Sequence, residues 1–372
     1  MYQVQYPTNY ELKELEPDLM ATAQLTSDPI FKQFPITSKP VANVEWTMKE
    51  NIYGLQAARG LDGEAPRIQN LGESLFSMVP GVYGEQTIIG ERELTTRAPY
   101  DAPGAVIAID DLVVERMKVL IAREVTLIRQ IIWTMLTTGT FSIFAPSTGA
   151  IQHTDTFAIK TASVTGQSLT GYTAPTGSNV IGTNGPLVLP QAFGSTWATI
   201  ATSTPLLDLQ MCQQLWERGT SCRFGVDAEM FMNRNTFNLI VNSASLGVRW
   251  VVNGNGGTQD LLPGVDTVKN LFANFNLPAP VIMNDGYLDS SKVWQYYIPN
   301  NVIVFAGTRP NNDLIGEYVQ TRNASNPDFA PGPYIKIKDE PDKVPRNIQI
   351  DRGHNGGPAI YYPNAIGVLT VA

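Results

Sequence analysis

Histidine and cysteine are almost missing from the 372 residues, with two of each. Cys212 and Cys222 stand ten apart, which is neither a disulfide framework nor a zinc-ligand spacing, and isolated thiols suit a reducing compartment. His153 sits in a Thr-rich segment and His354 in the Gly-rich run RGHNGG. Neither has a second ligand at helical or strand spacing, so both read as surface residues rather than metal ligands. The nucleophile elbow G-x-S-x-G, the phosphate loop GxxxxGK and the zinc helix H-E-x-x-H are all lacking. GNGGTQ at 254–259 carries Gln259 where a dinucleotide turn needs its third glycine, so it reads as a flexible loop. No catalytic residue, cofactor or metal is expected.

Charge is also scarce. Only 16% of residues are charged, against roughly 25% in ordinary soluble domains. A large chain with so little charge is expected to hide much of its surface against other subunits. The balance is acidic, with 26 basic against 34 acidic residues and a net charge of −8. A protein that grips nucleic-acid phosphates shows a basic patch. None is visible, so any nucleic acid nearby is contained rather than bound. No apolar run approaches the length of a membrane span. The opening MYQVQYPTNYELKELEP has no basic n-region or apolar h-region, which argues against a signal peptide.

Against these gaps one stretch stands out, Asp110 to Gly139. Its apolar residues (Val113, Met117, Leu120, Ile121, Leu127, Ile128, Ile131, Met135, Leu136) fall close to the spacing of one helical face. Glu115, Arg116, Lys118, Arg123, Glu124 and Arg129 occupy much of the rest. Those charges reject a membrane span, and the apolar spacing is not a sustained heptad, which argues against a coiled coil. The spacing predicts a helix of about 28 residues and ~42 Å, capped by Asp110 or Asp111 and ended by Gly139. It reads as a strut lying on a sheet, with Ile128 and Ile131 buried against strands Tyr334–Lys338 and Asn347–Asp351.

The other parts follow in order. Residues 1–40, with five prolines at 7, 17, 29, 35 and 40, read as an extended arm without its own core, either disordered or packed along a neighbour; Tyr6, Tyr10, Phe31 and Phe34 favour packing. VANVEWTMKE alternates like a strand. SLFSMVPGVYGEQTIIGERELTTRAP reads as two strands around Pro80-Gly81, completing a ribbon expected to lie on an adjacent subunit because two strands alone are marginal. Between Ser147 and Thr196 the only charged side chains are Asp155 and Lys160; alternation in TFAIKTASV argues for a decorated hairpin, then loop. From Trp197, a helix starting at Pro205, a strand at 223–226, two further helices and strands near 280, 294 and 302 predict an α+β region. GPYIKIKDEPDKVPRNIQIDRG reads as a hairpin, with strands at 334–338 and 347–351 around an acidic, proline-stiffened loop. That loop is a cation site, a solvated tip or an assembly contact. Closing strands follow.

This order, carried by RELTTRAPYDAPG, IAREVTLIRQIIWTMLTTGTFSI, STPLLDL, IPNNVIVFAGTRP, GEYVQT, PGPYIKIKDEPDKVP and PAIYYPNAIGVLTV, resembles tailed-phage major capsid proteins of the Hong Kong 97 fold. Among them it is most similar to the phage lambda major head protein family. The resemblance spans nearly the whole chain. It implies an N-arm at 1–40, an E-loop at 41–104, a P-domain beginning at 105–146 with a spine helix, a Thr/Gly-rich β insertion at 147–196, an A-domain at 197–332, a P-domain hairpin at 333–352 with its P-loop at Asp339–Pro345, and strands returning to the A-domain at 353–372. The insertion is longer than a minimal fold needs, and serves as surface decoration, a cement-protein attachment point or an inter-capsomer contact.

By the same resemblance the protein is not an enzyme. It self-assembles into pentamers and hexamers of a virion head in the host cytoplasm, around double-stranded DNA bound without sequence specificity, with separate scaffolding and portal proteins, a cement protein as a further partner, and no membrane. Contacts between subunits are expected at Asp339, Glu340, Asp342 and Lys343, and at Glu85, Arg92 and Glu93. The alternatives are an encapsulin-type compartment of the same fold, a β-rich hydrolase without a recognisable motif, and a secreted adhesin, which the lack of a signal peptide opposes.

Overall fold

The apolar stripe becomes a single helix, Ile109–Thr138, in a computed structural model. Its thirty residues extend about 45 Å at ~1.5 Å per residue. It stops where the sequence says it should. Gly139 is left-handed, at φ 73°, and its N–H donates to the Met135 carbonyl over 2.7 Å. Asp110 and Asp111 lie inside the first turn rather than at the cap, where their charge opposes the helix dipole. The structure describes residues 28–49, 73–96, 109–144, 151–156, 168–169, 172–173, 187–189, 197–198, 203, 205–219, 222–243, 249–251, 258–260, 264–289, 291–309, 314–340, 342, 344–362 and 365–371. Expectations for residues 1–27, the centre of the ribbon and most of 157–196 lie outside them.

The chain divides into two units. The first takes 1–45, 77–132 and 317–359; the second takes 46–76, 133–316 and 360–372. In the first, a sheet runs in the order Ile36–Ser38, Gly316–Gln320, Asn347–Ile360, Tyr334–Glu340, with Gly81–Gly90 also paired to Asn347–Ile360. The expected hairpin is there, with Lys336 opposite Asp351 and Ile337 opposite Ile350. Its second strand does not stop at Asp351 but runs on to Ile360. Against this sheet the spine helix buries Leu112, Val113, Met117, Leu120 and Ile121, which cluster with Ile89, Ile348 and Ile350. Ile335 and Ile337 pack on the same cluster.

Two expectations are corrected by this packing. Ile128 and Ile131 are buried, but the helix residues clustered with the two hairpin strands, Leu112 to Ile121, come about two to five turns earlier, so the contact register was misplaced along the helix. The strands around Pro80-Gly81 exist but do not pair with each other. Glu73–Met78 pairs with Val44–Lys49, whereas Gly81–Gly90 pairs over ten positions with the long strand of its own chain. The reason is Ile89, fully buried in the helix–sheet cluster. It gives the second half of the supposed ribbon a core of its own to join, so only the pair Val44–Lys49 and Glu73–Met78 remains two-stranded.

Gly84 faces Gly353 across this pairing. A Cβ on Gly353 would sit 2.2 Å from the Tyr83 carbonyl and 2.8 Å from the Gly84 Cα, both backbone atoms that cannot swing aside.

The second unit is organised on a mixed sheet in the order Ala279–Ile282, Glu229–Met232, Val302–Ala306, Ile366–Thr370, Leu187–Leu189. The helices Pro205–Gly219, Arg234–Val241 and Val265–Asn274 belong to the same unit, an α+β arrangement as expected. Aromatic contacts fill its core, with Trp216 edge-on to Phe305 at 4.7 Å and Trp133 edge-on to Phe231 at 5.3 Å. Asn233 caps its helix, accepting from the Thr236 N–H over 2.8 Å. The strand expected at 223–226 is reduced to a single bridge between Arg223 and Thr308, and the true strand lies six residues later, at Glu229–Met232. Thr140–Phe144 and Ile151–Thr156 form a hairpin, whereas the one expected over TFAIKTASV falls almost wholly outside the described residues.

The packing sets a clear contrast for mutation. Ile121→Ala should lower subunit stability by about 2–5 kcal/mol, and Gly353→Ala by about 1–3 kcal/mol through backbone overlap. Val119→Ala, on the exposed face of the same helix, should stay within about 0.5 kcal/mol. Denaturant unfolding of the three variants checks the order.

Candidate functional site

Glu124 stands three and four residues beyond Ile121 and Leu120, so helical geometry puts it on the buried face. There it meets the long strand, whose inward positions read Ile348, Ile350, Arg352, His354 at the strand period of two. The apolar face thus turns polar where it reaches the carboxylate. The Glu124, Arg352 and His354 side chains are only 8%, 2% and 1% exposed. Arg352 Nε donates to Glu124 Oε2. His354 Nδ1 lies 3.1 Å from Oε1, at ion-pair distance but off the line of a hydrogen bond. Gln320 Nε2, from the neighbouring strand, also reaches Oε1 at 3.5 Å. Behind the imidazole, Tyr318 Oη is 2.9 Å from Nε2, and the Tyr83 ring lies 5.3 Å from the imidazole, centroid to centroid.

The electrostatics follow from this geometry. Burial alone would raise the Glu124 carboxyl, but the adjacent His354 and Arg352 outweigh it and hold the group below its ordinary value. Burial pushes the Tyr83 and Tyr318 phenols up, so both stay protonated. Both carboxylate oxygens face donors of the same chain. A general acid or base needs a cleft and a reacting partner, and this cluster is closed on itself. Its chemistry is that of a latch tying the spine helix to two strands.

His354 is therefore not a surface residue: the Gly-rich run that suggested a loop is part of the strand Asn347–Ile360. Nor is Glu124 on the charged outer side of the helix. The signal available in the sequence was its offset of three and four from two apolar residues.

The residues expected to make contacts between subunits are scattered, and most have partners within the chain. Glu85 receives Arg123 of the helix, with Nη2 at 2.6 Å, and that bond is the main cause that lowers its carboxyl. Glu93 pairs with Arg116. At the hairpin, Asp339 Oδ2 accepts from Arg346 Nη2 over 2.7 Å, and Glu340 pairs with Lys338 at 2.5 Å. Arg92 and Asp342 are exposed. Lys343 lies outside the described residues.

His153 is half-buried in its hairpin. Both cysteines are buried, and burial raises the Cys212 thiol well above its usual range. Among the described residues no group of three or more His, Cys, Asp or Glu side chains could hold a metal ion. No described helix is long and apolar enough to cross a membrane.

No protein-family model and no curated protein matches the chain by sequence. Solved structures do match. A protein described as the capsid protein of a prophage in Escherichia coli CFT073 superposes with a TM-score of 0.53 at 14% identity, covering 95% of this chain and 98% of its own. A phage-related protein of Bordetella bronchiseptica RB50 gives 0.53 at 11% identity, covering 96% and 97%. The chain has the Hong Kong 97 capsid fold. The latch fastens the long helix Ile109–Thr138 to the strands Asn347–Ile360 and Gly316–Gln320.

The latch makes a pH-dependent prediction. A carboxyl held below its ordinary value contributes stability that is complete above about pH 4.3, the free Glu value. That contribution is lost as pH falls through the lower folded value. Glu124→Gln should cost about 3–5 kcal/mol at neutral pH by leaving Arg352 buried without its counter-charge, and should flatten the acid limb of the stability profile. Urea unfolding of both proteins from pH 3 to pH 7 reads the difference.

Proposed function

We propose that the chain is the major structural subunit of a tailed-phage head, assembling as pentamers and hexamers around double-stranded DNA, and that it is not an enzyme. The observation that carries this is a capsid fold matched over nearly the full length of both chains. The chemistry agrees. The buried cluster around Glu124 is consumed in holding strands to the helix, and an acidic chain with a net charge of −8 suits a container that does not grip its nucleic acid.

The domain assignments belong to this proposal: N-arm 1–40, A-domain 197–332 and P-domain hairpin 333–352, with the E-loop narrowed to the excursion Val44–Met78. So do similarity to the phage lambda head-protein family, assembly in the host cytoplasm, and separate scaffolding, portal and cement proteins. Contacts between subunits fall to Arg92 and Asp342, which keep exposed charges at the short helix and at the hairpin turn.

Electron microscopy of the purified protein should show closed shells or free capsomers. Nuclease-protected double-stranded DNA in particles from infected cells separates a virion from a cargo compartment. Compact monomers at every concentration would refute the shell. Asp342→Lys and Arg92→Glu should each leave circular dichroism unchanged and reduce shell yield several-fold. Normal yield from both would show that these charges merely face solvent.

A further inference from the structure

The strand Ile36–Ser38 lies at the edge of the first unit's sheet, parallel to Gly316–Gln320, with Ile36 opposite Tyr318 and Ser38 opposite Gln320. Gly316–Gln320 therefore stands between this short strand and the long strand Asn347–Ile360. The backbone there serves both neighbours. Toward the edge, the Tyr318 and Arg322 N–H groups donate to the Pro35 and Val41 carbonyls over 2.9 and 3.1 Å, and the Lys39 N–H donates to the Gln320 carbonyl over 2.9 Å. Toward the long strand, the Thr321 N–H donates to the Asn355 carbonyl over 2.8 Å.

Side chains grip the short strand on both faces of the sheet, because successive residues of a strand point to opposite faces. On one face Glu317 accepts from Thr37 Oγ1 over 2.8 Å and pairs with Lys39. On the other, turned to the helix, Gln320 Oε1 accepts from Ser38 Oγ over 3.3 Å, and its Nε2 donates to Glu124 Oε1 over 3.5 Å. Both of these bonds are long, but their direction is fixed. A carboxylate only accepts, so Glu124 takes the amide N–H and leaves the amide oxygen for the Ser38 hydroxyl. Gln320 is 6% exposed, so water competes little for either half of its amide. Gly332 closes over the pair: its φ is 107°, and a Cβ there would lie 3.3 Å from Ser38 Oγ. One side chain thus links the edge strand to the latch, in the order Ser38, Gln320, Glu124, Arg352.

We infer that Gln320 is a positioning residue that couples docking of the strand Ile36–Ser38 to the latch around Glu124. Loss of the edge strand frees the Gln320 amide to turn and takes a donor from Glu124. An opened latch in turn releases the amide that holds Ser38. Such a coupling is reciprocal by linkage, and the strand Gly316–Gln320 is the element that both sides bias. Whatever draws on the chain ahead of residue 36 is then felt at the long helix. The coupling belongs to the single chain and does not rest on the shell reading.

Hydrogen exchange of the full chain, read at single amides, tests the coupling. Lys39 and Arg322 report the edge strand, Thr321 reports the latch side, and Ile121 in mid-helix reports the unit as a whole. Thr37→Val loosens the edge strand from the Glu317 face, away from Gln320. It should speed exchange at Lys39 and Arg322 by roughly ten-fold, and at Thr321 by a similar factor, with Ile121 unchanged. In a Gln320→Met background the same substitution should still speed Lys39 and Arg322 but leave Thr321 where it was. Ser38→Ala, at an exposed position, breaks the link from the strand side and should uncouple Thr321 likewise, which keeps the test decisive if Gln320→Met does not fold. Thr321 unmoved by Thr37→Val, or moved equally with and without the Gln320 link, would overturn the inference. Matching acceleration at Ile121 would show loss of the whole unit and would overturn it too.

Discussion

A carboxylate taken out of water under a helix must be met by positive charge, because an unpaired buried charge costs several kcal/mol. Glu124 imposes that demand in the middle of the spine. Arg352 supplies that charge from one strand, with His354 beside it, and Gln320 adds a neutral donor from the adjacent strand. Those strands can answer only at one register, since a slip of one residue would turn Arg352 and His354 to the opposite face. The cluster therefore fixes where the long strand lies along the helix, which apolar packing alone would leave looser. It adds little net stability over an apolar substitute of the same shape. What it contributes is position.

The same helix is held by ions on several sides of the first unit. Arg116 reaches Glu93, Arg123 reaches Glu85 and Arg129 reaches Asp28. The partners lie on the short helix Glu91–Thr96, on the strand Gly81–Gly90, and at Asp28 just before the helical turn Ile30–Gln33. The two spine arginines seven apart, 116 and 123, share a face by helical period and hold consecutive elements, Gly81–Gly90 and Glu91–Thr96. Exposed pairs of this kind are weak individually. Several on one rigid rod still select a single arrangement of the segments around it.

Much of this was legible in the sequence because period and order survive where identity does not. The spine was evident from its apolar spacing and from Gly139, and the hairpin from the alternation of Ile335 and Ile337 with Lys336 and Lys338. The hidden parts share a cause. Gly81–Gly90 looked like half of a free ribbon because its burial depends on a strand more than 250 residues later in the chain. His354 looked like a loop residue because glycines around it suggest turns, whereas Gly353 is there to let two backbones approach. Glu124 looked solvated because charge on a helix usually is. Each of these local readings was overruled by a long-range pairing that no window of sequence contains.

Low charge has a further consequence for how copies of such a chain can meet. Lys39, Arg116, Arg123, Arg129, Lys338, Arg346 and Arg352 all pair with carboxylates of their own chain. In a protein with 26 basic residues, that internal use removes a large share of the cations from contacts between subunits. Asp339 and Glu340 are among the carboxylates paired in this way. On the proposed shell reading, cohesion between copies is then left chiefly to apolar surface and backbone. Ion pairs order the described part of the chain from within.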